Sequence, residues 1–203
     1  ISPTRRFLVS NDAALIDDDE DVCVIDPPPT PSSVFGKPLD EGTKRRNGQF
    51  IRFIKGFLFD FLFDGKTVER EYARFYALET IAREPYFAYL SVLHFYETLG
   101  LWRKADYIKV HFAESWNELH HLLIMEELGG NDQWKDRFVA QHSAFFYYWM
   151  IVALYLLNPT HAYNLNQAVE QEAYDTYNSF LETHAEYLQG EPPAKVAVKY
   201  YTN

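Results

Sequence analysis

This sequence predicts an all-α fold, a bundle of long helices, on three observations. From Gln49 onward, apolar residues recur at the i, i+3, i+4, i+7 spacing of an amphipathic helix. Glycine, asparagine or proline stands at the ends of these runs, where helices start and stop. Strand-like alternation is brief, and its longest stretch is 194–200.

Residues 1–47 precede that pattern and read as a disordered, solvated tail. They hold six of the ten prolines, an acidic run from Asp17 to Asp21, and the stretch PPPTP at 27–31. Such a mixture buries too little apolar area to offset the entropy of ordering it. The expected division is therefore an acidic, Pro-rich tail over 1–47 and a helical domain over 48–203. Ile1 in place of an initiator methionine points to a processed chain or a fragment. The tail shows no Arg-rich, acid-poor transit segment and no secretory apolar run.

Five helices are expected after the tail. Phe50, Ile51, Phe53, Ile54, Phe57, Leu58, Phe61 and Leu62 set the first over 49–63, closed by Asp64 and Gly65. A second runs over 70–99 to Gly100, and a third over 103–128 to the Gly129-Gly130 pair. The fourth covers about 132–157, behind Asn131 and before Pro159. The fifth covers about 160–188, ending at Gly190 and the Pro192-Pro193 pair.

The fourth helix contains AFFYYWMIVALYLL at 144–157, uncharged but shorter than the roughly 20 residues needed to span a bilayer. The first helix carries Arg52, Lys55 and Asp60 among its aromatics. Together they fit either a monotopic protein lying in one leaflet or a buried core helix beside a dimer-facing one. A net charge of -10 argues against nucleic acid as a partner. A single cysteine, Cys23, rules out an intrachain disulfide framework.

Among the seven histidines, only His121 has an acidic residue three positions earlier, Glu118. On a helix, positions i and i+3 share a face, so carboxylate and imidazole can converge on one metal. Di-iron carboxylate bundles add a Glu from each of two other helices and a second Glu-x-x-His. Glu79 lies in a mainly apolar stretch. Glu170 heads a stripe continued by Tyr174 and Tyr177, with Glu172 as its rival. A buried carboxylate costs several kcal/mol in desolvation unless it is paired, hydrogen-bonded or metal-bound. Partly exposed glutamates in helix ion pairs are the alternative.

Four blocks then carry a family resemblance: RFYALET at 74–80, RKADYIKVH at 103–111, SWNELHHL at 115–122 and VEQEAYDTY at 169–177. Over 71–203 the chain resembles the alternative oxidase family. The His120-His121 pair, LLIMEELGG at 122–130 and AVKYYT at 197–202 resemble its plastid terminal oxidase branch.

That resemblance implies a ferritin-like di-iron bundle with Glu79, Glu118, His121 and Glu170 as metal ligands and Asn117 as their orienting partner. It implies a quinol pocket lined by Arg74, Leu78, Ala173 and Thr176 and bordered by Glu172. Tyr177 would sit beside the two irons and take part in oxygen reduction. The implied reaction oxidises quinol and reduces O2 to water without pumping protons, in a homodimer on one leaflet of the plastid thylakoid membrane. A ubiquinol oxidase of the mitochondrial inner membrane is the variant reading. The family's second Glu-x-x-His lies on a further helix, and none occurs here after residue 121, so the chain is expected to lack that last helix. A different di-iron bundle enzyme and a metal-free membrane-surface or dimerisation fragment are the rivals.

Overall fold

The computed structural model describes residues 39–63, 67–101 and 103–202, without the side chains of 58, 60 and 61. The expected tail as far as residue 38, with Cys23, and the Asp64-Gly65 stop lie outside the described residues. All regular structure among the described residues is helical.

Helix α1 (Glu41–Ile54) starts eight residues before the apolar pattern does. Asp40 supplies the reason. Its extended backbone and carboxylate cap the helix, accepting from the Thr43 amide at 2.9 Å and the Thr43 hydroxyl at 2.6 Å. Polar residues on this first stretch face α6 (Pro159–Thr183), where Asn47 donates to Asn164 Oδ1 and accepts from His161 Nε2, each at 2.8 Å. The helix then widens into a π-helical segment, Lys55–Phe61. Such segments are rare and occur often at functional sites.

The expected 70–99 helix is two helices, α2 (Val68–Ala82) and α3 (Glu84–Thr98). Pro85 offers no N–H to the Ile81 carbonyl, so the ladder breaks at Arg83 even though the apolar period runs through. Helix α4 (Ala105–Glu127) ends on Gly129, whose φ of 84° suits a residue without Cβ. Next to it, a Cβ on Gly130 would lie 2.5 Å from the Tyr72 carbonyl oxygen and 2.8 Å from Tyr76 Cβ. Only glycine lets the end of α4 pack this closely on α2. Gly130→Ala is expected to cost about 1–3 kcal/mol by overpacking, read as a lowered urea midpoint.

Helix α5 (Trp134–Leu157) stops at Asn158, which caps α6 by accepting from the His161 amide at 3.1 Å, with Pro159 in the first turn. The fifth expected helix is also broken, into α6 and the short α7 (Ala185–Gly190). The alternating stretch 194–200 is not a strand but part of α8 (Lys195–Thr202). Glu127, at the end of α4, explains its start: the carboxylate accepts from the Lys195 amide at 3.0 Å and the Val196 amide at 2.8 Å.

Helices α2 and α3 form a bent rod packed between α4 and α5, with α6 lying against α1 and α5 and touching α2. One apolar cluster gathers Tyr86, Tyr89, Ile151, Tyr155 and Leu165 around α3, and a second gathers Phe63, Ala73, Tyr76, Leu122 and Ala140 around α2. The buried carboxylates of Glu79 and Glu118 arise from this same bundle interior.

Candidate metal centre and adjoining cavity

Glu79 on α2 and Glu118 and His121 on α4 bring one carboxylate oxygen or ring nitrogen each to within 4.8 Å of one another. His121 Nδ1 lies 3.7 Å from Glu79 Oε2 and 3.6 Å from Glu118 Oε2. The i, i+3 spacing sets the Glu118–His121 half, and the packing of α2 on α4 adds Glu79. Glu79 is only 2% exposed, and its Oε2 is buried without a hydrogen-bond partner. A buried carboxylate oxygen in that state suits the role of a cation ligand.

The protonation behaviour agrees. Burial raises the Glu118 pKa, helped by the Glu79 charge and opposed by His121. The two carboxylates, Glu118 foremost, push His121 up to about 10 against the lowering effect of burial. Without metal, a proton on His121 therefore supplies the positive charge that the carboxylates demand. Two hard carboxylates and an imidazole are a donor set suited to iron.

Two further groups reach this region from α6. Tyr177 donates a short hydrogen bond to Glu79 Oε1, and its ring stacks on Phe75 at 4.2 Å. Its pKa lies well above the ordinary phenol value, chiefly through burial and then through the Glu79 charge. Glu170 is outside the three-residue cluster. Its Oε1 accepts from the Tyr86 hydroxyl at 2.9 Å, and burial followed by the Glu118 charge raises its pKa. Asn117, expected to orient the ligands, accepts from the Tyr200 hydroxyl at 3.2 Å, while His120 stacks on the same ring at 3.9 Å. Of the adjacent histidines, His121 is thus the one facing the carboxylates.

Beside the cluster lies a cavity of about 340 Å³ between α1, the π-helical segment, α2, α5 and α6. Arg74, Leu78, Glu172, Ala173 and Thr176 all line it, with Phe50, Phe57, Phe146, Met150 and Val169. Glu172 pairs with Lys55 at 3.2 Å and Arg52 at 3.8 Å, so it is a cavity-wall carboxylate and not part of the metal-type cluster. Arg74 lies 3.5 Å from Glu71 Oε2, and Thr176 donates to the Glu172 carbonyl at 2.6 Å. Sequence reasoning missed Tyr86, Asn166 and Lys55. The first lies in the apolar run PYFAYL at 85–90, where it reads as core.

The profile described as alternative oxidase matches residues 44–203. The chain is also 64% identical over 134 residues to "Ubiquinol oxidase 4, chloroplastic/chromoplastic" of Arabidopsis thaliana, an alignment covering 66% of this chain and 38% of that protein. The chain thus spans well under half the length of the curated relative it matches. No solved structure matches it at a significant level. With the profile covering nearly all of the helical region and three acid-and-histidine side chains gathered at its centre, this chain belongs to the alternative oxidase family.

Proposed function

We propose that the full-length protein is a di-iron quinol:oxygen oxidoreductase, a plastoquinol terminal oxidase. Two quinols are oxidised to quinones as one O2 becomes two waters, and the quinol hydrogens balance those taken up by oxygen. One observation carries this reading: neighbouring residues serve the cavity and the cluster. Leu78 lines the cavity while Glu79 joins the cluster, and Thr176 lines the cavity while Tyr177 bonds Glu79. A flat apolar ring in the cavity then lies against residues adjacent in sequence to the Glu79 carboxylate on α2 and to the Tyr177 phenol on α6.

Glu79, Glu118, His121 and Glu170 would hold the metal, with further ligands from the rest of the full-length protein. Bound iron supplies the redox capacity for reducing O2. The chain's own groups do the remaining work. The Arg74 guanidinium donates to a quinol oxygen, the Thr176 hydroxyl accepts a hydrogen bond from a quinol O–H, and Ala173 leaves room for the ring. The Lys55–Glu172 pair keeps the polar end of the cavity near neutral, and the aromatic walls exclude water. Tyr177 holds a proton at the edge of Glu79.

Exposed aromatics support access from one leaflet. Phe53 is 68% exposed on α1, and Phe146 is 69% exposed on α5, with Phe57, Phe145 and Trp149 also outward. Helices bearing these rings flank the cavity. Among the described residues no helix is long and apolar enough to cross a membrane. The chloroplastic relative supports a plastid location, and a homodimer on the thylakoid membrane is the assembly we infer.

The test is oxygen uptake by the full-length protein in vesicles with plastoquinol or ubiquinol, alongside iron analysis. Glu118→Ala is expected to lose iron and uptake together. Ala173→Trp should keep iron but lower kcat/KM for quinol by about 5- to 150-fold, the effect of 1–3 kcal/mol of overpacking at the cavity wall. Unchanged quinol kinetics in Ala173→Trp would remove the cavity from the reaction. An iron-free parent would favour the metal-free membrane-surface reading.

A further inference from the structure

Glu170 lies on α6, which otherwise reaches the metal-type cluster through the Tyr177 hydroxyl on Glu79. Tyr86 on α3 and Asn166 on α6 are each 7% exposed, so bulk water does not replace the contacts they make. The Asn166 amide donates to Tyr86 Oη at 3.3 Å, and Tyr86 Oη donates to Glu170 Oε1 at 2.9 Å. This order has one sense only. An ionised carboxylate can only accept and a phenol has a single proton, so the amide must face the phenol oxygen with its N–H. Asn166 lies four residues before Glu170, one turn back on the same helix face.

Packing fixes the phenol as well. The Tyr86 ring meets Tyr89 edge-on at 6.3 Å and 85°, within the cluster containing Ile151 and Leu165. The hydroxyl is therefore delivered from a packed wall, and Glu170 cannot turn without breaking this part-buried hydrogen bond.

We propose that Tyr86 is a positioning residue for Glu170, with Asn166 setting the direction of its proton. It commits Oε1 of Glu170 to the protein and presents Oε2 as the oxygen that takes a cation. The inference rests on the metal-centre reading above, because it gives Glu170 its task. It adds a contact from α3 that neither the ligand spacing nor the cluster of Glu79, Glu118 and His121 contains. The chemistry is that of a ligand's hydrogen-bonded support, whose loss typically weakens metal binding by about 10–100-fold.

The experiment is Fe(II) binding to the full-length protein, measured anaerobically by competition with a chromogenic chelator, together with melting of the metal-free protein. Tyr86→Phe keeps the ring and removes the hydroxyl. It is expected to weaken Fe(II) binding by about 10–100-fold and to leave metal-free melting close to the parent's. Asn166→Ala should weaken binding in the same direction but less, and it serves if Tyr86→Phe fails to fold. In a Glu170→Gln background, Tyr86→Phe should change Fe(II) affinity by less than about twofold, since the residue it positions is already altered. Full-strength Fe(II) binding in both single variants overturns the inference while leaving the metal centre intact. An equal loss with and without Glu170 overturns it too, because the hydroxyl would then act through packing. A parent that binds no Fe(II) overturns the inference and the metal-centre reading together.

Discussion

Replacing Tyr177 by Phe in the full-length protein is expected to lower quinol-dependent oxygen uptake by at least roughly 100-fold, the scale of a lost proton-transfer group. Iron content should stay close to the parent's. The geometry makes this substitution clean. The Tyr177 ring stacks on Phe75 at 4.2 Å and 9°, and a phenylalanine ring keeps that stack and nearly all of the volume. Only the hydroxyl goes, and with it the hydrogen bond to Glu79 Oε1. Burial and the Glu79 charge raise the phenol pKa well above its ordinary value, so the hydroxyl keeps its proton at neutral pH. Oxygen uptake by electrode and iron by elemental analysis read the two roles separately. Lost iron would assign the hydroxyl to orienting Glu79, and unchanged uptake would remove it from turnover.

A second large effect is expected at an ion pair one helical turn from the Arg74 side of the cavity wall. Arg70 on α2 meets Asp136 on α5 at 2.6 and 3.4 Å, a two-pronged pair with the Asp136 side chain 4% exposed. The pair joins the first turns of two helices that pack along their length. Asp136→Ala leaves the guanidinium without its two-oxygen acceptor, and breaking a buried pair this way costs about 3–5 kcal/mol. For a domain of this size that is roughly 6–20 °C in melting temperature, measurable by calorimetry. Replacing both residues, Arg70→Met with Asp136→Leu, should recover most of the loss, because no charge then stays behind in the interior. A single variant that melts within a degree or two of the parent would show that water already reaches the pair.

Local patterning explains why most of the helices were legible. The apolar period, Pro159 in the first turn of α6 and Gly129 at the end of α4 each act within a few residues of themselves. The break at Arg83 was also written in the sequence, as Pro85, but the unbroken apolar stripe masks it. The start of α1 and the helical state of 194–200 were harder. One combines the local Asp40 cap with a polar face that finds Asn164 and His161, the other depends on a Glu127 carboxylate 68 residues away from the amide it caps.

For the site, the sequence by itself determined that Glu118 and His121 share a helix face and that Glu170 and Tyr177 lie two turns apart on another. Helical geometry alone requires both. Tertiary structure decided how these faces meet: Tyr177 on Glu79 across 98 residues, Tyr86 on Glu170 across 84, and Lys55 on Glu172 across 117. It also separated two acids that periodicity left as rivals, setting Glu172 against the cations of α1 and the π-helical segment and Glu170 against a phenol. Side chains two positions apart on a helix point about 200° apart, so they must meet different neighbours. Which neighbours those are depends on the crossing of helices, and no local pattern encodes that.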